Sequence, residues 1–396
     1  MTVNQIYTLM NTVTGEILGK SDIVAEDLSN VVDIGKELFS NTDVDNYVKS
    51  LVNHIGKVIF VNRPYAGNVP SMIMDSWEFG SVLEKIQADM PAATENKSWE
   101  LTDGQSYDPN VFYQPKVSAK FFNSRVTFEV PMSFTEKQVK DSFSSAAQLN
   151  GFVSMIYNAV DKAMTVKIDA LIMRTIDNMI GQTLHAEFPS VSNGDYSKVS
   201  GIKAVNLLKL FNDHRKAQGI DLALTAEEAI TDPDFIRFAS YTMGVTADRM
   251  TKMSTLFNVG KKERFTPADA LRVVMLSDFQ KAAKTYLYSD TRHSELVTLP
   301  DAETVPYWQG SGENYGFAKT SAINVKINTG AEAATAVTAS GILAIMYDKD
   351  AMGVCNSDRR VTTQYNAKAE FFNNFYKYDA SYFNDLNENF VVFFVA

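Results

Sequence analysis

The chain has 396 residues, of which 45% are hydrophobic and 21% charged, so it can bury a large core divided among two or three structural units. Its net charge of −10 provides no overall basic field to attract nucleic acid, and its single cysteine, Cys355, excludes an intramolecular disulfide. The N-terminus does not resemble a signal peptide, and no apolar run approaches the ~18 residues of a membrane span, so we expect a soluble protein in a reducing compartment.

Residues 1–65 contain two stretches with helical patterns. Apolar side chains in residues 21–39 recur at three- and four-residue spacing, which predicts one helix or two short ones opened by Ser21 or Asp22. A second helix is predicted from Asp43 to Lys57, followed by a short apolar strand at residues 58–61.

Residues 66–131 are predicted to form an extended loop, because their many glycines and prolines disfavour long helices. After a turn-rich stretch, TDGQSYDPN at 102–110, the sequence FFNSRVTFEV at 121–130 alternates apolar and polar side chains as a strand does. Together with ENKSWEL at 95–101, this strand is predicted to make a two-stranded ribbon. Such a ribbon is only marginally stable in water, so it is expected to lie against another surface.

A single helix of about ten turns, by the 3.6-residue period, is predicted at residues 145–181. The capping-box spacing occurs twice near its start, at Thr135–Gln138 and at Ser145–Gln148. A continuous apolar stripe follows, and Gly181 is expected to end the helix as a C-cap. The spacing drifts from a strict heptad, which disfavours a coiled coil.

The rest of the chain has mixed patterns. Residues 201–220 read as an amphipathic helix ended by Gly219, and LRVVML at 271–276 reads as a buried strand followed by a short helix. Three strand-like runs then follow: ILAIMYDKDAMGVCN, RRVTTQYNAKAEF and NFVVFFV. Because helices and strands do not alternate as βαβ units, we predict an α+β fold.

No motif for catalysis or cofactor binding is found. LFNVGKKER lacks the upstream glycine and the hydroxyl residue of a P-loop, and the four histidines are scattered without metal-ligand spacing. The acidic triplets at 232–234 and 348–350 read as solvated turns rather than cation sites, and Cys355 reads as a small buried residue. We therefore predict no catalytic, cofactor-binding or metal site, and a structural role instead of an enzymatic one.

The order of these parts resembles the major capsid protein of tailed double-stranded DNA bacteriophages, which has the Hong Kong 97-type fold. Residues 119–143, AKFFNSRVTFEVPMSFTEKQVKDSF, are similar to that family's passage from an extended loop, through a strand, a proline and a short helix, into a long spine helix. Residues 341–396 resemble the family's closing pattern of an apolar strand, a turn, a second strand, a crossing loop and a final apolar strand. That turn has the sequence pattern D-[KR]-[DE]-x-[ML]-G, which is matched here by Asp348, Lys349, Asp350, Met352 and Gly353.

The resemblance implies a Hong Kong 97-like division of the chain. It predicts an N-terminal arm and helices at 1–65, an extended β-hairpin loop at 66–131, and a peripheral domain with the spine helix at 132–181. An axial domain is expected at 182–340, and residues 341–396 are expected to supply peripheral-domain strands that return to the axial-domain sheet.

The resemblance also implies that the extended loop lies across an adjacent subunit, which would give the marginal ribbon its missing support. The residues expected to make this inter-subunit contact are Trp99, Phe112, Tyr113, Lys116, Lys120, Phe122 and Arg125. Arg359 and Arg360 are further contact candidates for a partner's carboxylates, although a solvated pair is the safer interpretation.

The partners expected from the resemblance are other copies of the chain, as hexamers and pentamers of an icosahedral or prolate shell that encloses phage double-stranded DNA without binding it specifically. Only about 60 residues precede the loop, so a separate scaffolding protein is predicted, together with a portal protein and no membrane partner. Assembly is expected in the cytoplasm of the host bacterium, and the final location is the virion.

Two other interpretations remain open from the sequence. The first is an encapsulin-like compartment shell, which has the same fold but encloses cargo protein. The second is a cytoplasmic α+β enzyme with an unrecognised site. DNA inside purified particles would distinguish the phage shell from the first, and turnover by the monomer would support the second.

Overall fold

The computed structural model of the chain has the predicted α+β architecture. The residues that it describes are 3–18, 24–25, 27–40, 46–47, 50–51, 54, 70, 73–74, 83–88, 90–91, 93, 95–96, 98–108, 110–114, 116–191, 194–290, 302–309, 316–328 and 334–396. Described residues 46–47, 50–51 and 54 are helical, inside the helix predicted from Asp43 to Lys57. The rest of that prediction, and the strand predicted at 58–61, lie outside the described residues.

The helices with defined bounds are Val3–Leu18, Val31–Ser40, Glu136–Ser142, Ala146–Glu187, Leu207–Ala217, Ala226–Ala229, Pro233–Met250, Ser277–Asp290 and Phe317–Thr320. The strands are β1 Ile73–Met74, β2 Leu83–Ala88, β3 Val117–Phe122, β4 Arg125–Thr135, β5 Ala204–Asn206, β6 Leu271–Leu276, β7 Glu303–Val305, β8 Ile323–Ile327, β9 Thr335–Ala339, β10 Ile342–Asp348, β11 Met352–Asn366, β12 Phe371–Asn384 and β13 Phe390–Phe394. No helix among the described residues is long and apolar enough to cross a membrane.

The N-terminal region differs from its prediction. Among described residues of 21–39, only those from Val31 onward are helical, while Leu28 lies in a turn with a positive φ of 59°. A helix that was not predicted, Val3–Leu18, buries apolar side chains on one face, including Ile6, Met10 and Val13. Its polar residues Thr8, Asn11 and Thr12 obscure the apolar period in the sequence.

The long helix is the largest single element, and its 42 residues span about 63 Å at 1.5 Å per residue. Its N-terminus is where the capping spacing placed it, because the Ser145 hydroxyl accepts a hydrogen bond from the backbone nitrogen of Gln148 at 3.2 Å. The predicted C-cap at Gly181 is wrong, because the helix continues to Glu187. Gly181 lies against the β8–β9 hairpin, where an added Cβ would be 2.5 Å from Val325 Cγ2. This glycine permits close packing and does not end the helix.

One sheet has the strand order β1-β11-β12-β4. Two predictions are wrong here, because the described residues of 95–101 form no strand and the sequence FFNSRVTFEV is divided between β3 and β4, with Asn123 and Ser124 in neither strand. The crossing loop expected between the last two strands also includes the 14-residue strand β12. Burial alternates along β4 and along most of β12, as expected for strands with one face on a core, and the two strands pair over eleven residues.

The second sheet, with order β5-β13-β10-β6-β7, is buried on both faces. Alternate residues of β10 contribute to two different cores, with Ile345 and Tyr347 in one and Ala344 and Met346 in the other. The first core joins this sheet to the long helix and the first sheet, and the second lies under the helices Leu207–Ala217, Pro233–Met250 and Ser277–Asp290. Burial of both faces explains why β10 and β13 read as continuous apolar runs.

Candidate functional site

The most distinctive surface is an antiparallel hairpin formed by β2 and β3, here called the extended hairpin (residues 83–122). Its register runs from Leu83 opposite Phe122 to Ala88 opposite Val117, and these two strands form a sheet of their own. The connecting stretch between the strands, called the hairpin tip (residues 90–114), has no helix or strand among its described residues. The two strands of the hairpin therefore pair with each other and with no strand of the two larger sheets.

Every described residue of the hairpin tip is exposed. Trp99 is 96% exposed, Phe112 84% and Tyr113 85%. The other large apolar side chains exposed along the tip and its strands are Ile86, Met90, Leu101, Tyr107, Val111, Val117 and Phe121. Many large apolar side chains exposed within one segment are characteristic of a site that another molecule covers.

Local hydrogen bonds give the tip its shape. The amide of Gln105 donates to the carbonyl of Thr102 at 3.3 Å, and Gly104 between them has a φ of 81°. The Tyr107 hydroxyl accepts from the Thr102 amide at 3.3 Å, and the Asp108 carboxylate accepts from the Asn110 amide at 2.8 Å. These turns shape the tip through its own backbone without core packing, and a partly preformed loop loses less conformational entropy on binding.

At its base the hairpin is held by an ionic cluster, called the hairpin root (Lys85, Lys120, Asp385 and Glu388). Lys85 and Lys120 are cross-strand partners, and both bind Asp385, whose side chain is fully buried. The Lys85 ammonium also donates to the carbonyl of Asp350 at 2.7 Å and lies 3.4 Å from Glu388 Oε1. The root thus ties both strands of the hairpin to the end of β12 and the turn that follows it.

The two root carboxylates have opposite pKa shifts. Burial disfavours the ionised form of Asp385, but the hydrogen bond from Lys120 and the charge of Lys85 outweigh this effect and lower the pKa of Asp385. For Glu388, burial raises the pKa, and the charges of Lys85 and Arg264 only partly oppose that shift. Asp385 is therefore the carboxylate that anchors the two lysines.

An aromatic contact supports the root on its apolar side. The rings of Phe122 and Phe383 lie 5.3 Å apart, and the Lys120 ammonium lies 5.2 Å from the centre of the Phe122 ring. Aromatic pairs and cation–π contacts of this kind favour one direction of the hairpin over others.

The predicted contact residues fall into three places. Trp99, Phe112, Tyr113 and Lys116 are exposed in or beside the tip, whereas Lys120 and Phe122 contact their own chain at the root. Arg125 begins β4 and is exposed. Of the predicted residues, Lys120 and Phe122 are therefore the two whose described contacts hold the hairpin at its root.

The arginine doublet lies far from the hairpin tip in sequence, on β11. The Arg360 guanidinium binds the carboxylate of Asp379 at 2.7 Å. This carboxylate belongs to the same chain, whereas the sequence analysis named a partner's carboxylates. The side chain of Arg359 lies outside the described residues.

The described residues hold no group of three or more His, Cys, Asp or Glu side chains placed to bind a metal ion. Burial raises the pKa of the Cys355 thiol to about 11, which keeps it protonated and unreactive at neutral pH.

Sequence reasoning did not predict Lys85, Asp385 or Glu388 as root residues. Asp385 and Glu388 lie in the polar stretch NDLNEN, which reads as an ordinary turn, and Lys120 is 265 positions from Asp385. No local pattern pairs such distant charges, so only the folded chain could identify this cluster.

Comparison with known proteins gives one family match that covers nearly the whole chain. The model of the family described as Phi29-like phage major capsid protein matches residues 9–394. No curated protein sequence matches the chain.

Solved structures of phage capsids have a remote likeness to the chain. The capsid structure of Staphylococcus phage Andhra is 9% identical, with 85% of this chain and 87% of that chain covered and a TM-score of 0.49. The capsid structure of the cyanophage P-SCSP1u is 10% identical, with 84% and 92% covered and a TM-score of 0.43.

Proposed function

The chain belongs to the Phi29-like phage major capsid proteins, and from this premise we propose that the hairpin tip is the surface with which each subunit binds its neighbour. The protein is a structural subunit of a multimeric phage shell and a component of the virion, not an enzyme. The proposal concerns how the copies hold one another.

The observation that supports it most strongly is the exposure of Trp99, Phe112 and Tyr113 in a hairpin tip whose described residues are all exposed. Covering one large apolar side chain contributes about 2 kcal/mol. A contact of a few such side chains is weak between two isolated copies. In a closed shell every copy makes it, so the contacts reinforce one another through avidity.

The hairpin root has a different role in this proposal. Lys120 and Phe122 do not bind the neighbour but hold the hairpin in the direction that reaches it, through Asp385 and Phe383. Lys116 and Arg125 are exposed and stay candidates for direct contact with the neighbour.

The finer organisation is part of the same proposal. The copies form hexamers and pentamers, with a separate scaffolding protein and a portal protein, and they assemble in the host bacterium's cytoplasm. The net charge of −10 supports a shell that encloses double-stranded DNA without gripping it. The division into residues 1–65, 66–131, 132–181, 182–340 and 341–396 also remains a proposal, with the extended hairpin inside the second unit.

Deletion of residues 92–112, closed by a short Gly-Ser link, tests the proposal. The root is retained, so the variant is expected to fold with an unchanged unfolding midpoint but to form no shells in negative-stain micrographs. Shells at the normal yield would show that the tip is not needed for assembly. An unfolded variant would show that the tip belongs to the core of its own subunit.

A further inference from the structure

A cavity of about 310 Å³ lies where the helix Leu207–Ala217 ends and the helix Pro233–Met250 begins. Three aromatic rings line it, from Phe211, His214 and Phe238, and the last two are stacked with their centres 5.9 Å apart. The volume is at the lower limit of the about 300–1,000 Å³ that small-ligand pockets enclose. The cavity is therefore large enough to take one long side chain of a partner.

The charged groups of the cavity are only partly satisfied by their own chain. Asp232 is the N-cap of the second helix and uses its Oδ1 oxygen to accept a backbone hydrogen bond at 2.8 Å. Asp234 pairs with Arg237 at 2.8 Å, but its side chain is 78% exposed. Arg215 also lines the cavity and lies over one of the three rings. Two carboxylates and one guanidinium among the described lining residues leave a net negative charge when the histidine is neutral.

Residues 220–224, here called the anchored segment, lie beside this cavity, since Ile220 is one of its lining residues. The segment belongs to no helix or strand, but both of its ends are fixed to the first helix. The Ile220 amide donates to the carbonyl of Arg215 at 3.0 Å, as in the Schellman motif that closes a helix. The Asn212 side chain exchanges two hydrogen bonds with the backbone of Leu224, at 3.0 and 3.1 Å.

Between these two anchors the backbone is unpaired. Asp221, Leu222 and Ala223 are exposed, and their N–H and C=O groups form no hydrogen bond with any other described residue. Leu222 is also 72% exposed, and Ile220 is 43% exposed. A run of free donors and acceptors with fixed ends is a template on which an extended peptide can add as a strand.

The charge of this region determines what kind of peptide it suits. The sequence from residue 219 to residue 234 contains no lysine, arginine or histidine, and its acidic residues are Asp221, Glu227, Glu228, Asp232 and Asp234. All of these carboxylates are exposed or half-buried. A surface of one sign attracts partners of the opposite sign and disfavours those of its own, so the fitting partner is basic.

We propose that the anchored segment and the cavity together bind an extended, basic peptide segment of a second protein. The backbone of the peptide pairs with residues 221–223, and its apolar side chains lie along Ile220 and Leu222. One long basic side chain enters the cavity, where its apolar stem packs on the aromatic rings and its charged group meets the two carboxylates. The inference goes beyond the proposed function, because it assigns a partner other than a further copy of the chain.

A competing surface lies in the loop after the helix Pro233–Met250. The backbones of Ser254 and Arg264 close this loop with two reciprocal hydrogen bonds, at 2.9 and 3.0 Å. Its exposed charges have both signs, so it selects a partner's charge less strongly than the acidic region does. The apolar side chains exposed on it are Met253, Leu256 and Phe265. The anchored segment is therefore the better site for a basic peptide.

Fluorescence anisotropy with the unassembled full-length chain tests the inference. The probe is a labelled, end-blocked hexapeptide in which valine alternates with arginine. One control peptide has glutamate in place of arginine, and another keeps arginine but carries methyl groups on its backbone nitrogens, which removes the donors for strand pairing. The arginine peptide is expected to bind about tenfold more tightly than either control, a difference of about 1.4 kcal/mol.

Two variants separate the backbone contribution from the charge contribution. Leu222→Pro removes one free N–H and is expected to weaken binding of the arginine peptide by about tenfold, whereas Leu222→Ala keeps that N–H and is expected to weaken it less. Asp234→Lys places a like charge in the cavity and is also expected to weaken binding by about tenfold. Its matched control is Asp248→Lys, which makes the same charge change on an exposed position of the same helix and is expected to stay within about twofold. Unfolding midpoints of every variant separate misfolding from lost binding.

Three results would overturn the inference. The first is equal affinity for the arginine and glutamate peptides, and the second is undiminished binding by a folded Leu222→Pro chain. The third is loss of shells by Leu222→Pro when the unaltered chain binds no peptide, since the segment would then contact another copy. None of them bears on the hairpin tip, so the proposed function is tested separately by the deletion of residues 92–112.

Discussion

Lys85 and Lys120 lie opposite each other across the extended hairpin, and their ammonium nitrogens are 3.1 and 2.9 Å from different oxygens of the Asp385 carboxylate. Like charges directly opposite in a two-stranded sheet repel each other. One buried carboxylate converts that repulsion into a shared anchor, so the hairpin is held at its base while its tip stays uncovered. Rigidity at the root and exposure at the tip together suit a segment that must reach another copy.

Asp385→Asn is expected to destabilise the subunit by about 3 kcal/mol, because it leaves two cross-strand lysines without the charge that joins them. Urea unfolding of the unaltered protein and of the Asp385→Asn variant measures this change in unfolding free energy. The control is Asp33→Asn, which removes the exposed pair with Lys36 and is expected to cost less than about 0.5 kcal/mol. Equal effects of the two substitutions would mean that the root contributes no more than a surface ion pair.

The root also predicts a dependence on pH. The pKa of Asp385 is lowered below its usual 3.8, so its stabilising contribution is complete above 3.8 and is lost as the pH falls through the folded-state value. The pKa of Glu388 is raised above its usual 4.5, so its effect has the opposite sign: a cost at neutral pH that is relieved as the pH falls through its folded value.

The difference in unfolding free energy between the unaltered chain and Asp385→Asn isolates the first of these effects. It is expected to stay large at neutral pH and to shrink below pH 3.8. A difference that is constant down to pH 2 would show that the charge of Asp385 is not what stabilises the root.

Gly181→Ala is expected to destabilise the subunit by about 1–3 kcal/mol, although alanine is the better helix former, because the new Cβ would overlap Val325 and require the β8–β9 hairpin to shift. Gly151→Ala is the matched control in the same helix, since nothing lies within 4 Å of its added Cβ. It is expected to stabilise by about 0.5–1 kcal/mol. Thermal unfolding of both variants checks the opposite signs, and two stabilised variants would mean that the hairpin accommodates the methyl group.

Replacing Trp99, Phe112 and Tyr113 together by serine is expected to abolish shells while leaving the unfolding free energy of the subunit unchanged within about 0.5 kcal/mol, because these side chains touch little of their own chain. Sedimentation measures assembly, and urea unfolding measures the subunit. Tyr241→Ser is the control, since this tyrosine is also exposed, at 71%, but lies outside the tip, on the helix Pro233–Met250. A stable, shell-forming triple variant would remove the tip aromatics from the contact.

Elements that depend on nearby residues were predictable from the sequence. The capping box of Thr135 and Gln138 opens a helix as its spacing indicated, and the apolar runs at 271–276 and 342–348 are buried strands. Each is determined by side chains within a few positions, whose periodicity and hydrogen-bonding capacity can be read directly. The resemblance to phage capsid proteins implied Trp99, Phe112 and Tyr113 as contact residues, and all three are exposed in the tip.

Elements that depend on distant residues were not predictable from the sequence. The sequence predicted the wrong strand partner for the hairpin, since ENKSWEL and the true partner, β2, both precede the turn-rich stretch and only register with β3 distinguishes them. Gly181 looked like a helix end because the β8–β9 hairpin that requires a glycine there lies more than 140 residues later.

The sequence alone determined the α+β class, the long helix, the buried central strands and the likeness to phage capsid subunits, because these follow from local periodicity and from the order of parts along the chain. Only the tertiary structure decided which strands pair, which glycine is a packing site and that Asp385 holds both lysines of the hairpin. The physical reason is that hydrogen-bond register, close packing and ion pairing act between atoms a few ångströms apart, whatever their separation in sequence.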